Sequence, residues 1–201
     1  MGFGLLLIGY FLVNVLSVIS VFSAAMLLGF PLLLVGLWRL APYHKRFYYT
    51  FLFTLTGLPF GLYYTLYALG DVGAIPALLV LGGTAFAVVE WVYLAWGLLF
   101  HTLFLVSMAS LTAELGLWGL QSAAWRNLTF AVIYYLLFFV VKLPFFAAFV
   151  MPFIIPLTIL RYLCIFLNLW LLFRSWQVIL PEGSDCEPIV NEKRREKHDE
   201  K

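Results

Sequence analysis

The first charged side chain in this sequence is Arg39. Residues 2–41 are apolar nearly throughout, and comparable runs recur over about 47–69, 78–108, 128–149 and 155–177. A helix needs about 20 consecutive apolar residues to cross the hydrocarbon core of a bilayer. The runs show no in/out alternation and are far longer than barrel strands, so they exclude transmembrane strands. Composition supports this reading: 64% of the 201 residues are hydrophobic and 11% charged, with a mean hydropathy of +1.01. A soluble fold of this length cannot hide so much apolar surface. A soluble enzyme, a disordered chain and a disulfide scaffold are therefore excluded. The expected fold is an all-α, polytopic transmembrane helix bundle.

The number of spans turns on residues 2–41. As one straight helix they would measure about 60 Å, twice the hydrocarbon thickness. A division into 2–20 and 24–41, with a turn around Ser20–Ser23, gives six spans in all. A single crossing with a kink at Gly29-Phe30-Pro31 gives five. Pro42–Phe47 is a polar loop, Asp71–Pro76 a turn, and Met151-Pro152 with Pro156 a third break. The span over 47–69 holds Gly57-Leu58-Pro59-Phe60-Gly61, both a small-residue pattern and a proline kink. The run over 78–108 is too long to stand upright, so it is tilted, broken at Gly82-Gly83, or projecting past the surface. Residues 110–126 read as an interfacial helix, with Leu111, Leu115, Trp118 and Trp125 near one face and Glu114 and Gln121 on another. Residues 1–180 thus form the membrane domain.

The remaining 21 residues form a charged tail with five Lys/Arg and seven Asp/Glu, expected to be disordered. With six spans, one side carries Arg39, Lys45, Arg46, Arg126, Arg174 and the tail, while the turns on the other side carry no Lys or Arg. The positive-inside rule then puts both termini in the cytoplasm, in the plasma membrane. Met1–Leu6 lacks the basic stretch of a secretory signal, and Gly2 lacks the Ser or Thr at position 6 that myristoylation favours. Seven cations over 180 residues are too sparse for a nucleic-acid-binding face.

A few polar residues fall within the runs: Glu90, His101, Lys142 and Arg161, with Asn14 and Asn168 uncharged. Such residues are costly, about 2.5–3.5 kcal/mol each on insertion scales, and usually face the bundle interior or a wet cavity. From the expected span limits, Asn14, Glu90, Lys142 and Arg161 fall in one layer about 4–7 Å to the outer side of the midplane. Glu90 and His101 share a helix face, because eleven residues turn about 20° past three full turns. Gly97, close to that stripe, leaves room for another helix. The simplest roles are structural: Glu90 paired with Lys142 or Arg161, His101 hydrogen-bonded in the core, and the asparagines joining helices. The sharper reading starts from the balance of one acid against two bases. A buried net cation calls for an anion or a deprotonated lysine, and an anionic solute, a lipid headgroup or a titrating Glu90–His101 pathway would each fit.

Catalytic signatures are absent: no His-Glu-x-x-His, Gly-x-Ser-x-Gly, P-loop or dinucleotide fingerprint occurs. No cofactor is expected, and a metal site would require two or more of Glu90, His101 and Cys164 to converge. Two cysteines do not make a disulfide framework. The sequence therefore favours a structural, regulatory or accessory membrane subunit, acting as a homo-oligomer or beside a membrane partner. The alternative is a small transporter-like protein binding an anionic solute or lipid headgroup at the Glu90/Lys142/Arg161 layer. A lipid-modifying enzyme comes third.

Overall fold

The structure, a computed structural model, describes residues 2–16, 25–71, 73, 84–143 and 150–179. Among these residues the regular structure is entirely helical: α1 (Gly2–Asn14), α2 (Ala25–Leu40), α3 (Lys45–Leu55), α4 (Leu58–Asp71), α5 (Thr84–Glu114), α6 (Trp118–Val141) and α7 (Val150–Val178). Four stretches are long and apolar enough to cross a membrane: Lys45–Gly70, Phe86–Glu114, Trp118–Val141 and Pro152–Val178. The chain is thus a helical membrane protein. The expected turn at residues 20–23, the glycine pair at 82–83, most of the turn at 71–76 and the charged tail lie outside the described residues.

Residues 2–41 contain two helices, as the division near residue 20 anticipates. α1 and α2 span about 20 and 24 Å, each short of a 30 Å hydrocarbon core. They pack antiparallel in the most extensive helix pairing of the protein. Their backbones nearly touch, and glycine makes this possible. A Cβ on Gly9 would lie 2.7 Å from the Leu33 nitrogen, and one on Gly36 would lie 2.9 Å from the Leu6 nitrogen. Pro31 sits inside α2 without ending it.

α3 and α4 are one traverse with a break at Thr56-Gly57. Pro59, the second residue of α4, has no N–H to offer the preceding turn. The Thr56 hydroxyl and backbone N–H both bond to the Phe53 carbonyl instead. The break seats aromatic rings from two other helices, since a Cβ on Gly57 would come within 2.6 Å of both Trp96 and Phe30.

α5 is the most deeply buried of the four long stretches, and the other three turn more of their surface outward. Its buried face carries a ladder of stacked rings: Tyr93 on Trp96, Trp96 on Phe100, and Phe100 on Phe104, at centroid separations of 5.8, 5.2 and 5.9 Å. Residues three and four apart lie above one another on a helix, so the ladder follows from sequence spacing. On the outside, Leu28, Ile155, Ile159 and Phe166 are each more than 60% exposed. An apolar surface of this kind suits lipid or a protein partner rather than water.

The structure corrects three boundaries. Residues 110–126 do not form an interfacial helix. α5 runs on to Glu114 and α6 begins at Trp118, with Leu111 buried rather than on a lipid-facing stripe. Gly116, at φ +68°, terminates α5: its N–H bonds to the Ala113 carbonyl, and the Leu117 N–H reaches back to Thr112. This is the Schellman closure that a glycine just past a helix end permits. The helix expected over 128–149 is consequently Trp118–Val141. Nor do Met151-Pro152 and Pro156 make a turn, because α7 starts at Val150 and runs through both prolines. A proline in the first turn is tolerated, since the N–H groups there have no helical partner.

One end of the bundle gathers the basic residues. At the start of α3, Arg46 donates to the Ser110 hydroxyl near the end of α5, and His44 Nε2 lies 3.3 Å from Glu114 Oε1. Gly2 abuts Leu40, and Gly4 abuts Trp176. The start of α1 and the end of α7 therefore lie at this same end.

Candidate functional site

Away from the basic end, α1, α2 and α4–α7 surround a cavity of about 310 Å³. Five of the six polar residues singled out from the sequence line it, namely Asn14, Glu90, His101, Lys142 and Arg161, while the sixth, Asn168, is fully buried among the helices. They do not form the flat layer expected. From the observed helix midpoints, Lys142 is about 19 Å from the centre of α6, Glu90 about 14 Å from the centre of α5, and Arg161 about 5 Å from the centre of α7. His101 lies within about 3 Å of the centre of α5. The cavity is therefore deep, with Glu90 and Lys142 toward the end where α6 stops, and His101 near mid-depth.

Glu90 and Lys142 are bound to each other. Lys142 Nζ donates to Glu90 Oε2 at 2.6 Å, and both side chains are about two-thirds covered. Lys142 sits just past the end of α6, where its backbone N–H closes the last turn onto the Phe138 carbonyl. Its ammonium also lies 5.4 Å from the Phe138 ring centroid, a cation–π distance. This lysine is thus held in place, with its charge cancelled.

Arg161 is different. Among the described residues no carboxylate or hydrogen-bond acceptor bonds its guanidinium. It lines the cavity from α7 opposite the phenol-bearing faces of α5 and α6, which contribute Tyr93, Tyr134 and Tyr135. The cavity therefore holds one positive charge that none of the described residues balances.

Beneath the charged groups runs a chain of buried polar side chains. His101 Nδ1 lies 2.8 Å from the Gly97 carbonyl, which can only accept, so Nδ1 carries the proton. In the neutral ring Nε2 is then the acceptor, and the Tyr10 hydroxyl donates to it at 2.8 Å. The same hydroxyl oxygen accepts from Asn168 Nδ2 at 2.9 Å, and Asn168 Oδ1 accepts from Asn127 Nδ2 at 3.2 Å. The Tyr135 hydroxyl joins at 3.1 Å from His101 Nδ1. Gly97 makes room for it, since a Cβ there would lie 2.7 Å from the Tyr135 oxygen. The chain ties α1, α5, α6 and α7 together. Asn127 Oδ1, at its far end, is buried without a hydrogen-bond partner among the described residues. Asn14 stands apart, its amide donating to the Tyr10 carbonyl of its own helix.

Sequence reasoning missed Tyr10, Asn127 and the second role of Tyr135. Tyr10 could have been found, because it lies one turn from Asn14 on an otherwise apolar helix. Cys164 also lines the cavity, but among the described residues no three metal-binding side chains gather there or elsewhere. Comparison with known protein families, curated proteins and solved structures gives no match, so the functional reading rests on the cavity alone.

Proposed function

We propose that this protein is a six-span protein of the plasma membrane, with both ends in the cytoplasm, that binds an anionic group in its intramembrane cavity. The observation that carries the reading is the pairing pattern. Lys142 is neutralised by Glu90 at 2.6 Å, which leaves Arg161, among the described residues, as a cation without a counter-charge beside open space. Holding an arginine at membrane depth costs about 2.5–3.5 kcal/mol on insertion scales. A bound phosphate, sulfate or carboxylate would offset that cost, and arginine's planar fork of donors suits such groups. The anion would belong to a solute or to a lipid headgroup.

A second reading has its own support. The direct Glu90–Lys142 pair and the polar chain through His101 and Tyr10 both join helices, as in an accessory or structural subunit. The two readings differ in what Arg161→Met does. Anion binding predicts that inorganic phosphate raises the melting temperature of the purified wild-type chain, and that the methionine variant folds yet loses the response. A purely structural arginine predicts lower expression and melting temperature, with no phosphate response in either form.

A further inference from the structure

Arg161 also borders a second space, a groove of about 480 Å³ between α6 and α7. Tyr134, Phe138, Lys142 and Arg161 line both the groove and the cavity, so the two spaces adjoin at the cationic side chains. The groove has a direction. Asn127 of α6 donates to the Leu167 carbonyl of antiparallel α7, which puts Tyr134 about level with Arg161 and Val141 about level with Ile154. From Arg161 the groove therefore runs about 10 Å toward the helix ends at Leu143 and Ile154, away from the basic end. α6 measures about 36 Å, more than the hydrocarbon thickness, so these far ends reach the membrane interface. Toward the basic end the site is shut. Below the His101–Tyr10 chain, Phe104, Leu105, Met108, Leu171 and Leu172 pack with almost no exposure.

Charge sorts what can use the groove. Lys142 and Arg161 line it, with the hydroxyls of Thr158 and Tyr162, and among the described residues no carboxylate does. Glu90 lines the cavity but not the groove, so the Glu90–Lys142 pair turns its positive end toward the groove. A cleft with one sign of charge between low-dielectric walls concentrates the opposite ion and speeds its arrival by about 10–10³-fold.

We infer that the ligand is a water-soluble anion taken up from the outer aqueous phase, and that the α6–α7 groove is its way in. This deepens the anion-binding reading and rests on it. The direction of the groove decides between the two sources of an anion. A phospholipid with its phosphate at Arg161 would send its tails outward along the groove, upside down in the bilayer. A solute arriving from water at the helix ends passes Leu143 and Ile154, then Lys142 and Thr158, and stops at Arg161. Among the described residues the site is thus open on the side opposite the basic end and closed toward it.

The test reads thiol accessibility of the full chain in sealed vesicles. Cys164 and Cys186 are replaced by Ala, and one cysteine is introduced in the groove, as Thr158→Cys or, one turn on, Tyr162→Cys. Ile159→Cys is the control, because Ile159 is 64% exposed at nearly the same depth and lines neither space. The probes are membrane-impermeant methanethiosulfonates, one bearing a sulfonate and one a quaternary ammonium. A chain keeping only Cys186 marks the side of the tail. Thermal shift with inorganic phosphate, and separately with phosphatidylglycerol, is measured on the wild-type chain and on Arg161→Met. The groove cysteines should react from the side opposite Cys186, at least about tenfold faster than the control. Their sulfonate-to-ammonium rate ratio should exceed that of a free thiol in solution. Phosphate should slow them severalfold, and Arg161→Met should remove both the protection and the sulfonate preference. If both groove cysteines react no faster than the control, or react from the Cys186 side, the access route is overturned. An Arg161-dependent phosphate shift then leaves the anion site standing. A melting temperature raised through Arg161 by phosphatidylglycerol but not by phosphate overturns the soluble source alone. If neither raises it through Arg161, both readings fall.

Discussion

Replacing Tyr10 by Phe tests the buried polar chain with a single atom. The ring of Tyr10 is 1% exposed and stacks on Phe104 at a centroid distance of 6.3 Å, contacts that phenylalanine keeps. What disappears is the hydroxyl that donates to His101 Nε2 and accepts from Asn168 Nδ2. Hydrogen bonds between membrane helices are worth about 0.6 kcal/mol on average and up to about 1.7. Two such bonds set the loss at about 1–3 kcal/mol. The upper half of that range applies if Asn168 and His101 find no new partners. The assay is reversible unfolding of the full chain in mixed micelles of ionic and nonionic detergent, followed by circular dichroism. Asn168→Leu should cost a similar amount. Because both variants break the same bond, the double variant should cost clearly less than the two losses together. A Tyr10→Phe loss below about 0.3 kcal/mol, or strict additivity with Asn168→Leu, would refute the chain as described, since residues sharing a network are expected to couple.

Two further outcomes follow. Gly36→Leu should destabilise the protein by at least about 1–3 kcal/mol, the cost of overpacking a filled site, because even its Cβ would press within 2.9 Å of the α1 backbone; an unchanged unfolding midpoint would contradict the α1–α2 contact. Glu90→Gln should tighten phosphate binding several-fold, since it frees the Lys142 charge for the ligand. It should also cost only about 1 kcal/mol of stability, because the pair is partly exposed; weaker phosphate binding in this variant would argue against an anion in the cavity.

Much of the fold was legible because hydropathy and helix length are local properties. The two helices within residues 2–41 followed from length alone, and the break before α3 from Pro42 and the charges after it. The closeness of Glu90 to Lys142 was anticipated, but for a partly mistaken reason. The expected common depth placed Lys142 inside a span over 128–149, whereas it lies just past the end of α6. The error began at residues 110–126, where Leu111, Leu115, Trp118 and Trp125 on one face and Glu114 and Gln121 on another made the segment look interfacial. An average over side chains cannot register that a single glycine, Gly116, turns the chain there. The seven-residue spacing of Gly29 and Gly36, matched by Gly2 and Gly9, was a readable sign of the α1–α2 contact and passed unnoticed. Tyr10 with Asn168 was beyond reach, because their bond joins residues 158 positions apart.

The mistaken depth changes how the cationic residues should be understood. Were Lys142 near the membrane centre, Glu90 would be needed simply to make its charge bearable, and the pair would be a structural necessity. At the end of α6 a lysine could extend its long stem toward water and do without a partner. That it is instead turned toward Glu90, across the mouth of a cavity, means the pair constrains what surrounds the cavity rather than neutralising a trapped charge. The residue with no such route out is Arg161, about 5 Å from the centre of α7. Among the described residues, a carboxylate goes to the cation that needs it less and none to the cation that needs it more. That asymmetry is hard to derive from helix packing alone, and it follows directly if the counter-charge of Arg161 comes from outside the chain.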